Sequence, residues 1–254
     1  MKLNATYILV IFATIATITI NALANILPFN DVTTAQVSDQ LRSYFVPAGY
    51  VFSIWGIIYL LLLVFSIGYV TLSEKQKETA QKILPLYFFS AFLNSIWIVL
   101  WHYGFFMTTV VVIVTLLLTL IMIYQELGKN SPTTIKEKMI LHVPFSVYLA
   151  WASVATIANI SGVLWLINWN AFGIAGQIWA AALMLVAGAL AVATAIMRKD
   201  IAFSAVIVWA VTGIMVKFPN ELPMRYAGLV TVSSIIIVWV VFLLKWLKTR
   251  KKSK

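Results

Sequence analysis

Three short stretches hold the residue types in this sequence best suited to gripping a ligand. Residues 47–59, PAGYVFSIWGIIY, place Tyr50, Trp55 and Tyr59 in one aromatic run. Residues 94–101 carry Asn94, Trp97 and Trp101 at spacings of three and four, which puts an amide and two indoles on one helical face. Residues 151–159 mix one large ring, Trp151, with the small or polar Ser153, Ala155, Thr156 and Asn159. Aromatic faces stack on flat apolar molecules, an amide fixes a polar edge, and a small residue one turn from a ring leaves room beside it. The same features also serve helix packing: small residues let backbones approach, and an intramembrane amide bonds across helices. For Asn94 and for the 151–159 stretch, the residues themselves leave packing and ligand contact both open.

The elements that must carry these residues follow from hydropathy. Hydrophobic residues make up 62% of the chain and charged residues 10%, against about a quarter charged in soluble domains. A bilayer-crossing helix needs about 20 apolar residues at 1.5 Å each. Eight charge-free runs meet or approach that length: 7–27, 47–71, 83–103, 105–125, 139–161, 172–197, 201–216 and 226–244. The expected fold is therefore all-α, a polytopic transmembrane helical bundle. Lys2, the first apolar run and Ala22-Leu23-Ala24 resemble a cleavable signal peptide, but the run is long for that and continues through Ile26 and Leu27, which favours an uncleaved helix.

Charge sets the expected topology. Lys75, Lys77, Lys82, Lys129, Lys136, Lys138, Arg198 and Lys199 lie in loops after even-numbered runs, and Lys2 and the 245–254 cluster share that side. The other side carries Arg42, Lys217 and Arg225. The positive-inside rule then puts both termini in the cytoplasm, and the basic tail is expected along anionic headgroups. The long loop 28–46 is either a lid over a pocket mouth, through Leu41, Tyr44 and Phe45, or a solvated connector. Run four, of β-branched residues and leucine, reads as a lipid-facing wall, and the Gly- and Ala-rich run six as a docking helix.

Counting along the helices adds depth. Trp55 and Trp151 each come about 12 Å below the surface that carries the long loop, with Asn94 and Trp97 at roughly 14 and 9 Å. Four candidate residues from three helices thus share one level.

Several chemistries lack their parts. No Asp, Glu, Lys or Arg lies within any of the eight runs, whereas ion-coupled transport paths use such residues. There is no paired carboxylate, zinc-type spacing or glycine-rich phosphate loop, and cysteine is absent. His102 and His142 fall at opposite ends of their helices, so they cannot share one haem iron within a subunit. No metal site, no catalytic residue and no nucleic-acid partner are expected; the basic residues are scattered over short loops and one tail.

These residues resemble the TspO/MBR family, the tryptophan-rich sensory proteins and translocator proteins. Pro47-Ala48-Gly49-Tyr50-Val51-Phe52 with Trp55 and Tyr59 is similar to the family's second-helix pattern, Leu93-Asn94 with Trp97 to its third, and Val143-Pro144 with Trp151, Ser153, Ala155, Thr156 and Asn159 to its fifth. The family's paired prolines become Pro47 and Ala48, and its first-loop Trp-Tyr is missing. The resemblance covers residues 1–162 and implies a five-helix TspO-like ligand-binding domain. Residues 163–254 form about three additional transmembrane helices, a C-terminal membrane extension with a basic cytoplasmic tail.

By that resemblance the protein binds a flat hydrophobic ligand, a porphyrin such as haem or protoporphyrin or a sterol-like lipid, for sensing, sequestration or transport. No cofactor is required. The implied ligand-binding set is Tyr50, Trp55, Tyr59, Asn94, Trp97, Trp151, Ala155 and Asn159, with Trp55 and Trp151 flanking the ligand, Ala155 leaving room and Asn94 fixing a polar edge. The implied location is a bacterial or archaeal plasma membrane, and a homodimer stands as an open alternative. The competing readings are a porphyrin-degrading enzyme using tryptophans as redox partners, and a structural membrane protein without a small ligand.

Overall fold

The computed structural model describes residues 5–27 and 29–252, with side chains as far as Arg250. Lys2, Pro28 and the last two residues of the basic tail lie outside it. Among the described residues the chain is helical with no strand: α1 (Ala5–Ile26), α2 (Thr34–Gln40), α3 (Ile54–Gly68), α4 (Glu74–His102), α5 (Phe106–Leu127), a single turn α6 (Ile135–Glu137), α7 (Val143–Leu166), α8 (Gly176–Arg198), α9 (Ile201–Lys217) and α10 (Leu222–Lys252).

Each of the eight apolar runs falls on one helix, and seven of these segments are long and apolar enough to cross a membrane. The eighth, α9, has 17 residues, about 26 Å at 1.5 Å per residue and short of a ~30 Å hydrocarbon core. Two helices outrun their apolar stretch. α4 starts at Glu74, where the Gln76 carboxamide accepts the Ser73 N–H at 2.9 Å. Its first turns are Glu, Lys and Gln, good helix formers that a hydropathy ruler discards. For the same reason α10 runs on through the Lys- and Arg-rich tail as one 31-residue helix.

The described chain divides into two compact units. The first contains residues up to Ser43 together with Phe52–Trp169; the second contains Tyr44–Val51 with the chain from Asn170 onward. The first unit therefore ends some residues beyond 162, because α7 continues through Val163 to Leu166, and it leaves out the segment just ahead of α3.

In the first unit α1 buries Val10, Thr14, Thr17, Asn21 and Ala24, spaced four and three apart, the seam of a helix packed on one side. The polar members of that seam are satisfied. The Thr14 hydroxyl donates to the Val10 carbonyl at 2.8 Å and meets the hydroxyls of Ser66 on α3 and Tyr87 on α4. α5 is not the polar-free wall its composition suggests, because Thr109 is fully buried and bonds Asn159 of α7. Before α7, Lys138–His142 forms a wide π turn, where Pro144 has no N–H to return to the Ile140 carbonyl. Ile140 fills the space over Gly68, where a Cβ would come within 2.8 Å of it.

Connecting segments close both ends. Asn30 and Asp31 turn the chain at positive φ, 57° and 59°, after which α2 starts on a capping box between Thr33 and Gln36. The Asn25 carboxamide accepts from Thr34 N–H and Oγ1 at 3.3 and 3.1 Å, and the Trp101 indole N–H donates to the Thr34 carbonyl at 3.2 Å. Leu41, at the end of α2, covers Gly162 so closely that a Cβ there would lie 2.6 Å from it. At the other end Glu137 is buried at 6% exposure and accepts from Thr133 N–H and Oγ1 and from Gln76 at 2.8, 2.7 and 3.1 Å.

In the second unit α8 packs mainly on α10 and buries Ala180, Met184, Ala187, Gly188, Ala191 and Ala195. Thr231 of α10 sits against Gly188, leaving 2.8 Å for a Cβ, and donates to the Met184 carbonyl at 3.0 Å. Small residues give close backbone approach in place of bulk. Asp200 caps α9 by accepting from the Phe203 N–H at 3.1 Å, and the Trp239 indole N–H of α10 donates to Ser204 Oγ at 2.9 Å. The tail of the first loop belongs here: Tyr44 lies over Gly176 and against Phe218, ring centroids 5.4 Å apart, and Phe45 and Val46 are buried. Of the three residues expected over a pocket mouth, only Leu41 sits on the first unit.

Candidate functional site

The three tryptophans counted to one level meet around Trp55. In the first unit the Trp55 ring lies 5.9 Å from Tyr59 and nearly parallel to it, 6.0 Å from Trp97, 6.1 Å from Tyr148 and 6.2 Å from Trp151. The row extends at both ends. Trp97 stacks on Trp101 at 5.3 Å, and the Trp151 ring receives Phe52 edge-to-face at 5.9 Å. α3, α4 and α7 supply these rings because positions 52, 55 and 59, 97 and 101, and 148 and 151 each repeat at the helical spacing.

The cluster is buried and short of acceptors. Trp97, Trp101, Trp151 and Tyr148 are each 3% exposed or less. Trp101 gives its N–H to the Thr34 carbonyl. Four further polar atoms have no partner: Trp97 Nε1, Trp151 Nε1, the Tyr148 hydroxyl and Asn94 Nδ2 are all buried without a hydrogen bond. The Tyr148 hydroxyl lies beside the Asn94 amide, but the pair does not close a bond. Asn94 Oδ1 is used, accepting from Asn21 Nδ2 at 2.7 Å. Every orphaned atom here is a hydrogen-bond donor, and each costs about 1–3 kcal/mol while unmatched.

Ring orientation determines what fits. A flat ligand stacked between two rings needs parallel faces about 7 Å apart, twice the ordinary carbon contact distance. Trp55 and Trp151 instead touch at an interplanar angle of 88°. This arrangement is closed, and a ligand between them requires one of these rings to turn or part from the other.

The remaining expected residues fall in different places. Tyr50 belongs to the second unit, where it is half exposed and packs edge-to-face on Trp209 at 5.3 Å. Ala155 is partly exposed one turn beyond Trp151. Asn159 uses its amide on Thr109, accepting at 3.2 Å and donating at 3.1 Å, so it joins α7 to α5. His102 lies at the end of α4 against Phe29, its Nδ1 bonded to the Ile98 carbonyl at 2.8 Å and its Nε2 buried and unpaired.

Sequence reasoning missed Tyr148 and Asn21. Asn21 was findable, because Thr14, Thr17 and Asn21 repeat at three and four along one side of α1. Tyr148 was not, since α7 buries residues on every side and its rings show no preferred face.

A family model described as TSPO-like protein matches residues 7–245. The chain belongs to the TSPO-like protein family. The match runs past residue 162 through α8 and α9 and into α10. Comparison with curated proteins and with solved structures returns no match. Among the described residues no group of three His, Asp or Glu could hold a metal ion; the candidate site is built from π faces and hydrogen-bond donors.

Proposed function

We propose that this membrane protein binds a flat, hydrophobic, acceptor-bearing ligand of the porphyrin class within the ring cluster of its first unit, as the binding step of sensing, sequestration or transport. One observation supports the reading above the others: four buried donors without acceptors, three of them on rings that touch Trp55 or, as Asn94, beside such a ring. Protein interiors satisfy their buried polar groups, and a tetrapyrrole brings both large π faces and carboxylate or carbonyl oxygens. Family membership agrees with this ligand class. The reading assigns Trp55, Trp97, Tyr148, Trp151 and Asn94 to the ligand and no residue to catalysis. It places both termini in the cytoplasm, from the distribution of Lys and Arg.

The test is titration of the purified protein with protoporphyrin, following the porphyrin absorbance band in wild type and in Trp151→Phe. Saturable binding that weakens in the variant supports the reading. Unsaturable binding that is the same in both defeats it.

A further inference from the structure

Asn94 supplies the polar edge of the ring cluster, and a carboxamide can offer either a proton or a lone pair there. What fixes the choice lies on α1. Asn21 is 3% exposed, and its Nδ2 donates twice, to the Thr17 carbonyl at 2.9 Å and to Asn94 Oδ1 at 2.7 Å. The first of these bonds sets the second. A backbone carbonyl accepts and never donates, so the Asn21 atom resting on it must be the amino nitrogen, and the proton that nitrogen has left must meet an oxygen. Asn94 is thereby required to turn Oδ1 toward α1. Its own amino group then faces the other way, beside the Tyr148 hydroxyl, buried and without an acceptor.

The same device recurs one turn on. Asn25 Nδ2 donates to the Asn21 carbonyl at 3.0 Å, and its Oδ1, on the opposite side of the amide, accepts from Thr34 N–H and Oγ1 at 3.3 and 3.1 Å. In each case the carbonyl four residues back leaves the amide no freedom to turn over. Threonine in this seam behaves otherwise. Thr14 gives its one hydroxyl proton to the Val10 carbonyl at 2.8 Å, and an oxygen is what it has left for Ser66 and Tyr87. Only an amide has the second proton that Asn21 passes on to α4.

We infer that Asn21 is a positioning residue that sets the polarity of the ligand site: by holding Asn94 Oδ1 it turns Asn94 Nδ2 toward Tyr148 and the rings, so that the amide edge of the cluster offers a proton and not a lone pair. Asn21 touches no ligand itself. It acts through Asn94, and its effect is a preference for ligands that bring an acceptor to that edge. The inference rests on the ligand reading above for its purpose, but not for its measurement.

The variants that test it are Asn21→Thr and Asn21→Leu. Threonine keeps the seam polar and, as Thr14 does, spends its proton on the carbonyl four residues back, so that it presents only an oxygen; leucine presents nothing polar. In both, Asn94 Oδ1 loses its donor, and the amide should turn over and put that oxygen beside the Tyr148 hydroxyl, which gains an acceptor. Nuclear Overhauser contacts of the Asn94 side-chain amide protons in the apoprotein should therefore run to the Tyr148 ring in wild type and to the side chain at position 21 in the variants. Protoporphyrin should bind about 10-fold more weakly in both variants, the loss of one hydrogen bond to a charged group, while the same ring system with alkyl groups in place of its acids should change by less than about 2-fold. Equal weakening of the two porphyrins would mean that Asn21 only packs α1 on α4, and amide contacts that stay on Tyr148 in the variants would mean that Asn21 does not orient Asn94; either result overturns the inference. Should wild type fail to bind protoporphyrin, the ligand reading falls, and the Overhauser contacts alone still decide whether Asn21 orients Asn94.

Discussion

Replacing Asn94 with leucine should leave the apoprotein nearly as stable as wild type while weakening its ligand. The side chain makes one hydrogen bond, from Asn21 Nδ2 to its Oδ1 at 2.7 Å, and carries one orphaned amino group at 0% exposure. Interhelical bonds of this kind in membranes average about 0.6 kcal/mol. Losing it also strands one Asn21 proton, since that nitrogen keeps its bond to the Thr17 carbonyl at 2.9 Å. Against this, the change removes a buried donor that costs about 1–3 kcal/mol unmatched. The terms nearly cancel, and the expected net change is within about 1 kcal/mol, or a shift of roughly 2–4 °C in a chain of this size. Affinity responds differently. An amide donor to a ligand carboxylate is worth about 1.5–3 kcal/mol, so protoporphyrin binding should weaken about 10- to 100-fold. Thermal unfolding in detergent and porphyrin titration on the same preparation give both numbers. Destabilisation by more than about 3 kcal/mol, a loss typical of breaking a buried network, together with unchanged affinity would show that Asn94 is glue and nothing else.

Thr109→Val should cost about 1–3 kcal/mol, because Asn159 at 1% exposure loses the partner of both its donor and its acceptor; adding Asn159→Leu should recover most of that, and a double-mutant cycle by denaturant unfolding measures the coupling. Gly162→Ala should act locally and with opposite signs: alanine favours the α7 helix by about 1 kcal/mol, but its Cβ would meet Leu41 at 2.6 Å. Global melting should hold or rise while hydrogen exchange of Thr34–Gln40 speeds up, and an unchanged α2 would mean Leu41 moves aside without cost.

The spans were legible because charge-free runs of about 20 residues have few other uses, and the shared level of Trp55, Trp97 and Trp151 followed from rise per residue alone. Their meeting at about 6 Å shows how far counting reaches when helices are straight and adjacent. It fails where the information is not one-dimensional. Tyr44, Phe45 and Leu41 are equally apolar members of one loop, yet Leu41 covers Gly162 while Tyr44 covers Gly176, and no periodicity distinguishes the two fates. Trp209 is a single tryptophan in an apolar run, and nothing in its neighbourhood announces that its N–H meets the Val51 carbonyl, 158 residues away in sequence. The perpendicular setting of Trp55 and Trp151 was equally beyond reach, since spacing fixes where a ring is attached and not how it turns.

That perpendicular setting links the site's two unusual features. Edge-to-face rings pack well without a ligand, each such pair contributing about 0.5–1.5 kcal/mol beyond area burial, and this offsets part of the cost of four donors left unpaired. The closed cluster is therefore a state in which aromatic packing and hydrogen bonding disagree. A ligand that supplies acceptors and a π face of its own satisfies both at once: the donors gain partners, and ring–ring contacts become ring–ligand contacts. An apolar molecule of the same shape would replace the aromatic contacts but leave the donors unmet. The same ring system without its acid groups should therefore bind more weakly than protoporphyrin, by roughly the charged hydrogen bonds it cannot accept, about 1.5–3 kcal/mol for each. On the proposed reading, the cluster selects for oxygen acceptors more than for flatness.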